Sequence, residues 1–150
     1  MKRVVLISCV STKLDHKAKA KDLYISPLFT MNYAYAESLK PHAIYILSAK
    51  YGLVDPETEI ESYNETLNTK KSYELKDWAL DVIDQAQGKI DFRNDEIIFL
   101  AGDRYRKFLK PLCRNAKVPL EGLGIGKQLG WLKRKLAVKS LQSTENAKLF

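Results

Sequence analysis

Four short apolar runs along the chain alternate with segments of helical periodicity. The runs are rich in β-branched and aromatic residues and do not alternate with polar positions, which is typical of strands buried on both faces. They cover residues 4–8, 43–48, 97–101 and 117–120. The last run contains Pro119, which cannot donate a ladder hydrogen bond and therefore favours an edge position.

Helical patterns fill the spaces between these runs. Ser26 followed by Pro27 predicts a helix start, Ser72 is expected to cap a second helix that ends at Gly88, and Asp103 is expected to cap a short third one. The inner face of the first helix is predicted to carry Leu28, Met31, Tyr35 and Leu39. The inner face of a last helix is predicted to carry Ile125, Leu129, Leu132 and Leu136.

The resulting order of elements is β-α-β-α-β-α-β-α. It favours an α/β fold with a mostly parallel sheet of about four strands flanked by helices, in a three-layer α/β/α arrangement. We expect one domain over residues 1–150, because no linker or repeat interrupts the pattern. Residues 14–22 lack apolar periodicity and are expected to form a mobile loop, and residues 139–150 are expected to be frayed or loosely docked.

Composition narrows the class of protein. The 150 residues are 45% hydrophobic and 29% charged, which suits a globular domain with a proper core. No apolar run approaches the roughly 20 residues of a membrane helix, and the apolar start is too short for a signal peptide. Two cysteines, Cys9 and Cys113, are too few for a disulfide framework. We therefore expect a cytoplasmic protein with reduced thiols and no membrane partner.

The charge is unevenly distributed. The formal net charge is +7, and residues 104–150 hold twelve Lys and Arg against Glu121 and Glu145. Such a basic half suits a polyanionic partner, a nucleic acid or a nucleotide, although a solvated basic face without a partner would look the same. We expect Lys127, Lys133 and Arg134 to form one nucleic-acid-binding surface on the last helix.

Reactive polar residues follow three of the predicted strands, in loops at residues 9–13, 48–52 and 102–105. Because parallel strands end at the same edge of a sheet, we expect these loops to converge on one cleft. The oligomeric state and the strand order are left open by the sequence. The candidate catalytic residues are Cys9, Lys13, Ser48, Lys50, Tyr51 and Asp103.

Four of these residues allow more than one interpretation. Cys9 is either a nucleophile or a small buried apolar residue, and Asp103 is either an acid or base or a helix cap. Lys13 and Lys50 could bind phosphate or form a Schiff base. We expect Lys50 to lie in a partly desolvated cleft, with Asp103 or Glu59 as its partner.

Metal and cofactor sites are not expected. Two histidines and two distant cysteines give no zinc spacing. The glycines at 122, 124 and 126 match neither a dinucleotide fingerprint nor a Walker motif. That loop could still offer backbone amides and Lys127 to a phosphate, or it could simply begin the last helix.

The segments at the ends of the strands resemble those of one known family, the YaaA-like peroxide-stress proteins and their small bacterial and phage relatives. The most specific match is residues 46–53, Ile-Leu-Ser-Ala-Lys-Tyr-Gly-Leu, which is similar to that family's Leu-Ser-x-x-Tyr-Gly-x-Leu segment. Cys9 stands where the longer members have proline, and the chain is too short for their inserted helical part. The other matching segments are residues 5–8 with Lys13, residues 22–24, Tyr63, and residues 100–105 with Lys110 and Pro111.

The resemblance implies an α/β fold and an association with DNA and oxidative-stress protection. Residues 97–109 also resemble, loosely and by analogy, a strand-helix piece of the uracil-DNA-glycosylase fold. Together with the loop positions, the motifs make a set of candidate ligand-binding residues. They are Ser11, Tyr24, Gly52, Glu59, Tyr63, Gly102, Tyr105 and Lys127.

Two main functions follow from these features. The first is an enzyme that acts on a nucleotide, nucleoside or nucleic-acid base, with N-glycosidic hydrolysis as the candidate reaction. Asp103, Asp55 or Glu59 would then stabilise the reacting sugar, and Lys13, Lys50 or Tyr51 would assist the leaving base. The alternative is a non-catalytic DNA-binding protein that protects against oxidative stress. A third reading is a thiol sensor built on Cys9.

Overall fold

A computed structural model describes residues 1–8 and 12–148 of the chain, with side chains up to residue 138. The strands in this part are β1 (Arg3–Ser8), β2 (Ala18–Lys19), β3 (Ala43–Ser48), β4 (Gly52–Val54), β5 (Glu59–Ile60), β6 (Glu96–Leu100) and β7 (Asn115–Lys117). The helices are α1 (Ala20–Leu23), α2 (Pro27–Ser38), α3 (Ser72–Gln85), α4 (Asp103–Arg106) and α5 (Ile125–Lys148), with short 3₁₀ turns at Leu67–Thr69 and Lys110–Leu112.

The main sheet has the strand order β4-β3-β1-β6-β7 over the described residues. Strands β3, β1, β6 and β7 run parallel, and β4 pairs antiparallel with β3. The predicted α/β fold with a mostly parallel sheet is therefore confirmed, and β7 lies at an edge as expected. The fifth strand, β4, was not predicted, because its three residues follow a turn that the sequence presents only as polar and glycine-containing.

The core is centred on β1, which lies between β3 and β6. Val4, Val5, Leu6 and Ile7 are completely buried, so successive side chains on both faces of this strand are covered. Burial of each aliphatic side chain of this size contributes about 1.5–3 kcal/mol. A strand that is covered on both faces does not alternate between apolar and polar residues, which explains the continuous apolar run in the sequence.

Helix α2 begins as predicted and buries a wider face than predicted. Ser26 accepts a hydrogen bond at Oγ from the Phe29 amide at 3.2 Å, and Pro27 occupies the first turn. The buried residues are Phe29, Asn32, Tyr35 and Ala36. Of the predicted inner face, Tyr35 is buried, and the other three residues are partly buried and pack against the core. The buried stripe is wider than predicted because α2 packs against both β1 and α5.

Three other local predictions were wrong. Lys71 rather than Ser72 caps α3, and its amide donates to the Glu74 carboxylate at 3.1 Å. Gly102 rather than Asp103 caps α4, and no side-chain cap is present there. The last strand ends at Lys117 instead of spanning residues 117–120.

The segment 14–22, expected to be a mobile loop, contains β2 and the start of α1. Ala20 and Leu23 are completely buried. The Ala20 amide donates to the Thr58 carbonyl at 2.8 Å, and β2 pairs with β5. Two apolar residues and distant backbone partners order this segment, and neither produces a periodic sequence pattern.

Helix α5 packs on α2. Trp131 meets Tyr35 edge-on at 5.1 Å between ring centroids, and Leu132 is completely buried. Ile125 is 67% exposed, so its predicted place on the inner face was wrong. The backbone remains helical to Lys148 through most of the segment expected to be frayed. No helix in the described part of the chain is long and apolar enough to cross a membrane.

We predict that Gly52→Ala destabilises the fold. Gly52 has a φ of +75°, and an added Cβ would clash with the Gln85 side chain. The free energy of unfolding should fall by about 1–3 kcal/mol in urea titrations. Gly126→Ala is the matched control, because nothing lies near its Cβ position and alanine favours helix by up to about 1 kcal/mol. Equal midpoints for Gly52→Ala and the parent protein would contradict the turn described here.

Candidate functional site

A cavity of about 760 Å³ lies where β1 and β6 end, at the carboxyl edge of the sheet. We call it the edge cavity. Ser8 and Leu100 reach it from the two strands, Gly102 from the start of α4, Asn32 from α2 and Gln128 from α5. Its volume lies in the range of small-molecule sites, and its position is the one at which open α/β sheets bind ligands.

The lining of the edge cavity combines apolar walls with charged and amide groups. The apolar lining includes Leu28, Phe99, Val118, Leu120, Leu123 and Ile125. The polar lining includes Lys13, Asn64, Glu65, Thr66, Asn68, Asp103, Arg106 and Glu121. Apolar surface with a few placed polar groups is the usual composition of a ligand site.

The ends of β1 and β6 are tied together at the edge cavity. The two strands are parallel neighbours, with Ile7 opposite Leu100. The Gly102 amide donates a hydrogen bond to Ser8 Oγ at 3.3 Å. The predicted loop at residue 102 therefore lies directly beside the end of the first strand.

Arg106 and Asp103 bring opposite charges to the edge cavity. The Arg106 side chain is only 14% exposed, and its Nη1 donates to the Ala101 carbonyl at 2.8 Å. Its Nη2 lies 3.7 Å from Asp103 Oδ1, whereas the Asp103 side chain is 87% exposed. The site thus contains a fixed guanidinium beside an accessible carboxylate.

Lys13 is held at the edge cavity by two tyrosines. Its Nζ lies 4.7 Å from the ring centroid of Tyr63 and 5.9 Å from that of Tyr24. The backbone of Lys13 forms a bridge with Tyr24. The two tyrosine hydroxyls are 2.6 Å apart, and both rings are buried. Cation–π attraction and this rigid pair therefore position the lysine.

Ser48 is connected to this group but does not line the edge cavity. Its side chain is completely buried, and Oγ donates to the Tyr63 hydroxyl at 2.9 Å. The same oxygen accepts hydrogen bonds from the amides of Lys50 and Tyr51 at 3.3 and 3.0 Å. The Ser48 carbonyl accepts from Trp78 Nε1 at 2.9 Å. Ser48 therefore organises the turn after β3 and supports Tyr63.

The rest of the central loop lies away from the edge cavity. Lys50 is exposed, its Nζ lies 5.4 Å from the ring centroid of Tyr51, and it has no ion pair within the described residues. The expected partly desolvated cleft around Lys50 was therefore wrong. Tyr51 donates to the Glu61 carbonyl at 3.3 Å, and Glu59 lies 4.0 Å from Lys17. Gly52 pairs with Ser48 in the sheet.

Only some of the remaining candidate site residues line the edge cavity. Gly102 and Tyr105 line the edge cavity, and Tyr105 also meets Trp78 edge-on at 5.5 Å between ring centroids. Cys9 and Ser11 lie outside the described residues. Burial raises the pKa of the Cys113 thiol to about 11, which keeps it protonated and unreactive at neutral pH. Lys127, Lys133 and Arg134 are exposed on α5 and do not line the edge cavity.

Several residues that line the edge cavity were not predicted from the sequence, above all Asn32 and Arg106. Asn32 is only 4% exposed, and its Oδ1 has no hydrogen-bond partner among the described residues. The available signal was an amide inside an otherwise apolar helical segment. No group of three metal-ligating side chains occurs in the part of the chain that the structure describes.

We predict that Tyr63→Phe costs more stability than Tyr51→Phe. Removing the Tyr63 hydroxyl takes a partner from Ser48 and Tyr24 in a buried setting, which should cost about 1–3 kcal/mol in urea unfolding. The Tyr51 hydroxyl makes a longer, exposed bond, and its loss should cost less than about 1 kcal/mol. Equal losses for the two variants would contradict the supporting role of Tyr63.

No curated protein and no solved structure matches the chain. The model of a family described as "Family of unknown function (DUF6884)" matches residues 4–134, from β1 into the described part of α5. The chain therefore belongs to the DUF6884 family.

Proposed function

We propose that the chain is an enzyme that acts on a nucleotide, nucleoside or nucleic-acid base, with N-glycosidic bond cleavage as the candidate reaction. The edge cavity is the observation that carries this proposal. It is large enough for a nucleoside, and it combines apolar walls for a flat ring with two cations and accessible carboxylates.

The two cations suit a phosphate. Arg106 is oriented by the Ala101 carbonyl, and its planar guanidinium can bind phosphate oxygens in a bidentate manner. Lys13 is a second positive charge at the same cavity, held over the Tyr63 ring. In an empty site Asp103 partly offsets Arg106, and a ligand phosphate could replace that weak contact.

Asp103 is the best candidate for the chemical step. Hydrolysis of an N-glycosidic bond requires a carboxylate near an oxocarbenium-like sugar, a proton for the leaving base and a water molecule that adds to the anomeric carbon and loses a proton. Asp103 lines the edge cavity and is accessible, and Lys13 could assist the base. Asp55, Glu59, Lys50 and Tyr51 do not line it, so we remove them from this role.

Three further inferences accompany this proposal: a three-layer arrangement, a YaaA-like relationship and a cytoplasmic location. Successive right-handed crossovers, through α2 in one direction from β1 and through α3 in the other, would place helices on both faces and make three layers. The YaaA-like relationship and a cytoplasmic location remain part of the proposal. They are supported by residues 46–53 and by the few cysteines, respectively.

A second candidate function is non-catalytic DNA binding. Lys127, Lys133, Arg134 and Lys135 are exposed on α5, and no acidic residue occurs between positions 122 and 138. At about 100° per residue these side chains spread over the outer half of the helix. Such a surface would bind phosphates with a steep salt dependence and would release no product.

We predict that product formation depends on Asp103 and Lys13 but not on Lys50. A panel of nucleosides, nucleotides and base-modified oligonucleotides is incubated with the protein, and released base is measured by chromatography. Asp103→Asn should lower the rate about 10²–10⁴-fold while binding persists. Lys13→Ala should weaken binding of phosphate-bearing substrates at least about tenfold.

Lys50→Ala is the matched control, because this lysine is exposed and lies outside the edge cavity. Its rate should stay within about twofold of the parent rate, as expected for a surface change. Loss of activity in Lys50→Ala with full activity in Asp103→Asn would overturn the site. Salt-sensitive DNA binding without any product would favour the second function.

A further inference from the structure

We infer that Asn32 recognises the hydrogen-bonding edge of a nucleobase at the wall of the edge cavity that α2 forms. This inference rests on the proposed function and names the group that would select its substrate. Asn32 belongs to α2 and lines the edge cavity together with Leu28 of the same helix.

The burial of Asn32 is unusual for an amide. The residue is 4% exposed, and the other buried residues of α2 are Phe29, Tyr35 and Ala36. Its Oδ1 has no hydrogen-bond partner within the described residues. A buried amide oxygen without a partner destabilises the folded state, so an apolar residue would serve the core better.

Other polar side chains nearby do have partners. Thr30 Oγ1 donates to the Ser26 carbonyl at 3.1 Å, and Ser38 Oγ donates to the Tyr35 carbonyl. Gln128, the amide that lines the edge cavity from α5, donates from Nε2 to the Leu123 carbonyl at 2.8 Å. Of the two amides that α2 and α5 contribute, Gln128 therefore donates within the fold, whereas the Oδ1 of Asn32 accepts from no described residue.

The chemistry of a carboxamide matches the edge of a base. It presents an acceptor and a donor side by side, and bases pair with Asn or Gln through adjacent donor and acceptor atoms. Rotation of the amide by half a turn exchanges its two polar atoms, so both base polarities can be matched. Leu28 and Phe99 supply apolar surface for the flat ring. The base would then point toward α2, and a phosphate would lie near Lys13 and Arg106.

The test compares Asn32→Leu, which has a similar shape without polar atoms, with the parent protein and with Gln128→Leu. Thermal unfolding is measured without ligand and with nucleosides, nucleoside monophosphates and ribose 5-phosphate, which lacks a base. Without ligand, we expect Asn32→Leu to unfold at the same temperature as the parent or higher, and Gln128→Leu to unfold lower. Affinity of Asn32→Leu for base-bearing ligands should fall about tenfold to a hundredfold, whereas ribose 5-phosphate should stabilise it as much as the parent.

Three other results would contradict the inference, and they differ in what they imply for the proposed function. A lower unfolding temperature of ligand-free Asn32→Leu would show that the amide serves the fold, and the inference would fail. An undiminished response of Asn32→Leu to base-bearing ligands would also overturn the inference but leave the proposed function standing. No response and no product from the parent across the whole panel would overturn the proposed function and the nucleobase assignment with it.

Discussion

The architecture depends on one constraint, the complete burial of β1 between two parallel neighbours. Val4 to Ile7 are covered on both faces, and the strand is hydrogen-bonded to β3 on one side and to β6 on the other. Polar residues can therefore appear only at the ends of this strand. At its carboxyl end Ser8 meets Gly102, and this junction opens into the edge cavity.

The segments that follow the strands divide into supporting and ligand-facing groups. The segment after β3 turns back as β4. The Ser48 hydroxyl donates a hydrogen bond to Tyr63 and accepts one from the Tyr51 amide within the turn. Tyr63 in turn holds Lys13 beside the edge cavity, and α4 supplies Asp103 and Arg106 directly. The Ser-Ala-Lys-Tyr-Gly segment is thus specialised because it builds the support of the site, and this does not require its lysine to react.

Much of the fold could be predicted from the sequence because it depends on local patterns. Buried parallel strands give continuous apolar runs, and Ser26 caps α2 through its own side chain. The return strand β4 could not be predicted, since it depends on the left-handed backbone of Gly52 and on the Gln85 side chain that approaches it. The order of segment 14–22 depends on the distant carbonyl of Thr58.

The site was harder to predict than the fold. Convergence of loops predicted the edge at which the edge cavity lies and three of its lining residues, Lys13, Gly102 and Asp103, but not which other side chains turn inward. Lys50 points to solvent because the tight turn after Ser48 carries it outward. Asn32 was overlooked because α2 has two packing partners, and its buried stripe is wider than a single apolar periodicity suggests.

Ligand binding in the edge cavity is tested by titrating isotopically labelled protein with a nucleotide that stabilises it. The backbone amide NMR shifts are recorded during the titration. We expect the largest shifts at Asn32, Gly102, Asp103 and Gln128, which surround the edge cavity, and small shifts at Lys50 and Glu59. Shifts concentrated in residues 50–61, with the edge cavity unchanged, would contradict ligand binding in the edge cavity.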